Sequence, residues 1–365
     1  MPARCGRPSP PGCPPRSGTC WVSSSKRRGP SDARRDPRRR RTRLGPGGYL
    51  ASTGVEVTLV GRPAHVAAIR RDGLRIVGRR GDMRITDNLR AVDRAAAATG
   101  SFDYFILGVK GKDTAQALED AAPLRDAVAT ALSVQNTVEK DAKLVQWLGR
   151  DRVIGASTIE GGTLVQPGLV RNALSTKVTA YFGELDGSTS SRVEAITAAF
   201  DTAGLPAEAV DCIEQVEWEK LAQIALAAAW SVTTLGAVPG TSVFEGMEVP
   251  EGAAYFVALA KDLLRVYRAK GYEPMNFYAP LSRLKELDAL PGPEAIEFII
   301  EQGRTMRERE SSGHPSMYED VLRRRKTEVD FMLAPFLEAA DELAIEVPTL
   351  RIAYNIIKTV DRFLG

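Results

Sequence analysis

Two patterns share this chain, and the change from one to the other constrains its fold more than any other feature. Between Val55 and Ala156, short apolar runs alternate with helix-like stretches. Val55–Val60, Phe102–Val109, the run ending at Leu132–Val134 and Arg152–Ala156 read as strands; Ala64–Arg71 and Thr114–Ala122 read as helices between them. Such alternation predicts an α/β domain with a largely parallel sheet. Leu164–Asp186, broken by Gln166-Pro167-Gly168 and Asp186-Gly187, predicts antiparallel strands closing that domain. A helix follows, with Ser191 as its N-cap and Glu194 three residues on. Beyond about Asp211 the strand pattern stops. Glu214–Leu235, Ala253–Lys270, Ala295–Arg309, Met317–Leu343 and Leu350–Phe363 repeat their apolar residues at helical spacing, and Leu322, Val329, Leu333, Phe336 and Ala340 form one such stripe.

A chain of 365 residues is long enough for two cores. The expected division is an α/β domain over 44–211 and an all-helical domain over 212–365. Residues 1–43 stand apart, with thirteen Lys and Arg against two Asp and much Pro and Ser. They bury too little apolar surface to offset the entropy of ordering, which predicts a disordered tail. Arg38–Arg41 could serve as a nucleic-acid arm; an inert tail, or translation from a misassigned start, is preferred. Cys5, Cys13 and Cys20 lie in the tail and only Cys212 in the body, so no disulfide framework is expected. With His65 and His314 as the sole histidines, no metal site is expected. No apolar run approaches the ~18–20 residues that cross a bilayer, and the expected location is the cytoplasm.

In an open parallel sheet, ligands bind beyond the carboxyl ends of the strands. Arg62, Lys110 and Asn136 each end a separate expected strand, so they converge on one edge. Gly61-Arg62 also places a cation, with no acid, at the end of the second strand type in a dinucleotide fold. That choice suits the 2′-phosphate of NADPH rather than the free ribose hydroxyl of NADH. The phosphate-binding turn is the weak part. Leu44-Gly45-Pro46-Gly47-Gly48-Tyr49-Leu50 fits G-x-G-x-x-G only from its right-hand end, with Thr42 and Leu44 where the first two glycines belong. Gly45, Gly47 and Gly48 are therefore candidates for the cofactor loop of a defective first βα unit, before which no apolar strand is expected.

Spaced motifs across both halves resemble the ketopantoate reductase family. They are GGYLA, VTLVGR, His65–Leu74, ILGVKGKDT, Gln135-Asn136, Pro167-Gly168, Gly183–Gly187, Trp218-Glu219-Lys220-Leu221, Pro315–Val321 and Lys326–Asp330. The resemblance covers residues 45–365. It implies a Rossmann-like domain joined to a helical domain like that of 6-phosphogluconate dehydrogenases, and NADPH-dependent reduction of 2-dehydropantoate to pantoate. By the same resemblance Lys220 is the catalytic lysine that protonates the developing alkoxide. Glu328 would lie near the active site and cofactor, pairing with Lys220 or binding a ribose. Ser316 would bind the substrate's carboxylate or hydroxyl, Asn136 and Lys110 would line the nicotinamide side, and Gly161 would meet the cofactor through its backbone. The expected partners are a small 2-keto acid and a second copy of the chain.

The sequence also departs from the family pattern. Asparagines usual four and eight residues after the catalytic lysine are Ile224 and Ala228 here. Thr137 replaces the glycine after Gln-Asn, and Gly313 an asparagine before Ser316. Two alternatives follow: a paralogue reducing another, more apolar 2-keto acid, and a non-catalytic chain with a decayed nucleotide site.

Overall fold

The computed structural model describes residues 18–22, 40–42, 44–172, 176–238, 240–309 and 314–364, with side chains from Gly45 onward. Its first half holds the strands β1 (Gly18–Val22), β2 (Arg40–Thr42), β3 (Glu56–Val60), β4 (Leu74–Gly78), β5 (Met83–Ile85), β6 (Leu89–Val92), β7 (Phe102–Leu107) and β8 (Val128–Ser133). β9 (Ile154–Thr158), β10 (Gly162–Gln166), β11 (Leu169–Asn172), β12 (Ala180–Glu184) and β13 (Ala207–Ala209) complete them. The helices among these are α1 (Leu44–Ser52), α2 (Pro63–Asp72), α3 (Thr114–Asp120), α4 (Lys140–Leu148) and α5 (Ser191–Thr202).

A parallel sheet in the order β6-β3-β1-β7-β8 organises this half. Strands buried on both faces should be continuously apolar, and Phe105, Ile106, Leu107, Ala131 and Leu132 are essentially inaccessible. The centre of the sheet corrects one expectation. Gly18–Val22, inside the segment read as a disordered tail, pairs in parallel with both β3 and β7. Thr-Cys-Trp-Val is the tail's one β-prone run, and the parallel sheet needs a strand between β3 and β7. Arg40–Thr42 also forms a strand, antiparallel to β10, so two of the four arginines proposed as a nucleic-acid arm lie in a sheet. The first βα unit therefore does have a strand, and β2, which lies between that strand and α1 in sequence, pairs in a second sheet.

β10 and β11 form the expected hairpin, and β12 runs antiparallel to β9. The N-cap of α5 is Ser190, one residue earlier than expected, and its hydroxyl accepts from Val193 N at 3.2 Å.

The second half is helical: α6 (Ile213–Thr234), α7 (Val243–Met247), α8 (Pro250–Ala269), α9 (Leu284–Ala289), α10 (Gly292–Glu308), α11 (Ser316–Leu322), α12 (Val329–Met332), α13 (Ala334–Glu342) and α14 (Pro348–Asp361). The single helix expected over Met317–Leu343 is three short ones. Arg324 turns at φ 52, Thr327 bonds Asp361 through its amide and hydroxyl, and Pro335 can only open a helix. In the expected stripe, Val329, Leu333, Phe336 and Ala340 are buried, while Leu322 is exposed beyond the break. Helix α6 joins the halves. A Cβ on Gly155 or Gly183 would sit 2.8 or 2.9 Å from the Ile213 side chain, so glycine lets the start of α6 descend onto β9 and β12. That contact fixes the height at which the next turns of α6 face the sheet edge.

Candidate active site

The carboxyl ends of β3, β7 and β8 lie on one edge because the three strands are parallel members of one sheet. Arg62 follows β3 and is the N-cap residue of α2. Lys110 follows β7, and Gln135 and Asn136 follow β8. Gln135 is buried and structural: its amide donates to Val109 O at 3.0 Å and to Thr114 Oγ1 at 2.7 Å, tying the two strand ends together. Beside it, Asn136 is half-buried, and its Oδ1 accepts from Lys220 Nζ at 3.0 Å. This bond crosses from the sheet edge to the helical half.

Lys220 is 5% exposed, on a face of α6 that carries Glu217, Leu221 and Ile224 at helical spacing. These four line one cavity with Asn136 and Lys140. An ammonium in such a place can donate to a carbonyl oxygen and stabilise negative charge that develops only during reaction. Within the same motif, Trp218 packs edge-on against Phe336 and Glu219 binds the amides of Met275 and Phe277 at 2.7 and 2.9 Å. Those two residues hold the helix; Lys220 faces the cavity.

A second link crosses between the halves. Lys110 Nζ lies 2.9 Å from Asp320 Oδ2 and 3.4 Å from Glu328 Oε2, and Glu328 Oε1 accepts from Gly111 N at 3.3 Å. Burial alone would lower the Lys110 ammonium, but Glu328 and Asp320 outweigh it and hold it above its ordinary value. Glu328 thus pairs with Lys110, and it is the N-cap residue of α12 rather than part of a long helix. Ser316, half-buried, opens α11, which carries Asp320.

Other expected residues lie elsewhere. Gly45, Gly47 and Gly48 are buried inside α1. A Cβ on Gly48 would meet Ile76 Cδ1 at 2.7 Å and Leu74 Cδ2 at 2.8 Å, so that glycine serves close packing of α1 on β4. Gly161 lies in the β9–β10 connection. Sequence reasoning missed Lys140, Glu217 and Asp320. Helical spacing was the available signal for Glu217, one turn before Lys220 on α6; Lys140, at the start of α4, does not stand out until the two elements face each other. Among the described residues no group of His, Cys, Asp and Glu is arranged to hold a metal ion, and no helix is long and apolar enough to cross a membrane.

A parallel dinucleotide-type sheet, a helical half and a buried lysine at their junction define a two-domain oxidoreductase. The chain belongs to the ketopantoate reductase PanE/ApbA family, matching it over residues 46–187 and its C-terminal family over 212–361. It is 28% identical to a 2-dehydropantoate 2-reductase of Halobacterium salinarum over 87% of this chain and 94% of that one. It is 24% identical to the uncharacterized oxidoreductase YkpB of Bacillus subtilis, covering 84% and 92%. Two solved structures share the fold. One is the 2-dehydropantoate 2-reductase of Methylococcus capsulatus, at TM-score 0.71 and 20% identity over 94% of this chain and 97% of that one. The other is a D-mandelate dehydrogenase in a ternary structure with NADH and anilino(oxo)acetate, at TM-score 0.67 and 16% identity over 88% and 95%.

Proposed function

We propose that the protein reduces a small 2-keto acid with NADPH, 2-dehydropantoate to pantoate being the first candidate. The observation that carries this reading is the buried Lys220 ammonium held 3.0 Å from Asn136 Oδ1, at the edge where the parallel strands end. The names of its relatives support the same substrate class.

The residues fit a dinucleotide in part. Arg62 supplies a cation where the 2′-phosphate would lie, and Lys110, Asn136 and Glu328 would flank the nicotinamide end, with Gly161 as a further backbone contact. Gly48 packs against β4, and most of the β1–α1 connection lies outside the described residues. Gly45 and Gly47 remain as loop candidates near the phosphates. Held by these residues, NADPH would supply the hydride for reduction of the carbonyl.

The chain's own part is binding and proton transfer. Asn136 holds the Lys220 ammonium toward the cavity. Lys220 donates a hydrogen bond to the substrate's carbonyl oxygen, and the bond strengthens as negative charge gathers there. As the C–H bond forms, the proton moves from Nζ to that oxygen; the neutral lysine then regains a proton from solvent. Ser316 is the proposed partner of the substrate's carboxylate or hydroxyl.

A second reading keeps the chemistry and changes the substrate. Ile224 lines the cavity where a relative would carry asparagine, and Ala228 lies buried one turn further on. An apolar wall there favours a branched 2-keto acid without a terminal hydroxyl, because polar sites discriminate strongly against partners they cannot match. Loss of NADPH absorbance with ketopantoate, set beside apolar branched 2-keto acids, separates the readings. Preference for ketopantoate supports the first; turnover of the apolar acids alone replaces it with the second. No saturable NADPH binding would overturn both.

A further inference from the structure

Next to Lys220, the cavity wall carries a second lysine that the proposed chemistry does not use. Lys140, at the start of α4, is 2% exposed. Its Nζ lies 2.5 Å from Glu217 Oε1 and 2.9 Å from Asp141 Oδ1. Glu217 is 6% exposed, and its Oε1 also accepts from Ala156 N at 3.0 Å. Two links therefore run side by side from the β8–α4 connection to α6: Asn136 to Lys220, and Lys140 to Glu217. Glu217 and Lys220 are three residues apart on α6, so on that helix the two links start about one turn from each other.

A buried ion pair is an expensive way to join two elements, since removing both charges from water commonly cancels their attraction. Apolar residues would join α4 to α6 at less cost, so the pair calls for an explanation beyond stability. We propose that Glu217 is a positioning residue for Lys220: by holding the Lys140 ammonium and the Ala156 amide it fixes the turn of α6 from which Lys220 reaches Asn136, and it neutralises the second cation of the cavity. This rests on the reading of Lys220 as proton donor.

Burial works against the charge of both partners, and their mutual attraction opposes it. Burial alone would lower Lys140, but Asp141 and Glu217 hold it above its ordinary value. Burial and Asp141 push the Glu217 carboxyl well above the usual range, and the Lys140 ammonium opposes that rise. The ionised pair is the form the contacts support, because Oε1 of Glu217 receives two donors at charge-assisted and ordinary lengths. Carboxylates on the neighbouring elements have partners of their own. On α6 itself, Glu219 is bonded to the Met275 and Phe277 amides. From α11 and the start of α12, Asp320 and Glu328 are paired with Lys110. β9 contributes Ala156 and Ser157, which carry no charge.

The test is the pH profile of kcat/KM, whose alkaline limb reports loss of the Lys220 proton. Glu217→Gln removes one of the two carboxylates, leaves Lys140 with Asp141 alone, and moves that limb to lower pH, by about one unit. Lys140→Met leaves the carboxylates without their cation and moves it to higher pH. Opposite shifts are the signature, because a merely structural role would lower activity in both variants without moving either limb. Circular dichroism and NADPH titration check that each variant is folded. If Glu217→Gln does not fold, Lys140→Met alone decides: an upward shift supports the proposal. Shifts in the same direction, or no shift, overturn it. Lys220→Ala keeps the two ideas apart: its retained turnover sinks the proton-donor reading, whereas its inactivity with unmoved limbs in the other variants sinks only this inference.

Discussion

The two ends of the sheet edge are built in contrasting ways. On the side of Lys220, residues distant in sequence are brought together: Asn136 with Lys220, Lys110 with Asp320 and Glu328, Lys140 with Glu217. Each contact joins the α/β half to the helical half, so each depends on the packing of α6, α11 and α12. The phosphate side should be local, a tight glycine turn between the first strand and the first helix. Here β2, between β1 and α1 in sequence, pairs in a second sheet, and Gly48 is used for packing.

That contrast can be broken at several points. Glu328→Ala removes one of the two partners of Lys110 and the acceptor of Gly111 N. It should lower kcat/KM by about 100-fold, since truncating one partner of a partly buried charge pair costs 2–5 kcal/mol. Steady-state kinetics with varied NADPH checks this, and an effect under threefold would place Glu328 outside the site. Arg62→Ala probes the other end: the KM for NADPH should rise by about tenfold while that for NADH changes little. Equal losses would remove Arg62 from the 2′-phosphate.

A smaller effect concerns stability. His65 belongs to a family motif, yet its Nδ1 accepts from Gly168 N at 2.9 Å and ties α2 to the β10–β11 turn. Burial, with Arg62 adding, lowers its pKa from 6.5 to about 4. The folded state thus disfavours the protonated form: the full contribution is present above about 6.5 and is lost as pH falls toward 4. Thermal melts should show Tm falling across that window, by at most about 3 kcal/mol of stability, and His65→Gln should flatten the dependence. An unchanged slope in that variant would assign the acid sensitivity to other groups.

Much of this was legible in the sequence, for physical reasons that differ by residue. The strands β3, β7 and β8 and the long helices α6, α8, α10 and α14 follow from apolar spacing, because burial acts on every residue of such a run. Arg62, Lys110 and Asn136 were found because a parallel sheet sends all its carboxyl ends to one edge. β1 was missed because Thr-Cys-Trp-Val is embedded among Pro, Ser and Arg, and its place is dictated by β3 and β7 rather than by its neighbours in sequence. The breaks on either side of α12 were missed because Leu322 and Val329 keep helical spacing across the first, and Val329, Leu333 and Phe336 keep it across the second. Glu217 and Lys140 could not be recognised singly, since each is an ordinary surface-type residue until the other meets it.

The most direct test of the account compares the wild-type chain with Lys220→Ala in two measurements on the same preparations: saturable NADPH binding by fluorescence, and NADPH consumption with ketopantoate and with apolar branched 2-keto acids. The account predicts wild-type turnover of at least one of these acids, and a variant that binds NADPH nearly as well but turns over at least about 1,000-fold more slowly. Turnover retained in Lys220→Ala would move the proton donor elsewhere, and absence of NADPH binding in the wild-type chain would contradict the reductase reading itself.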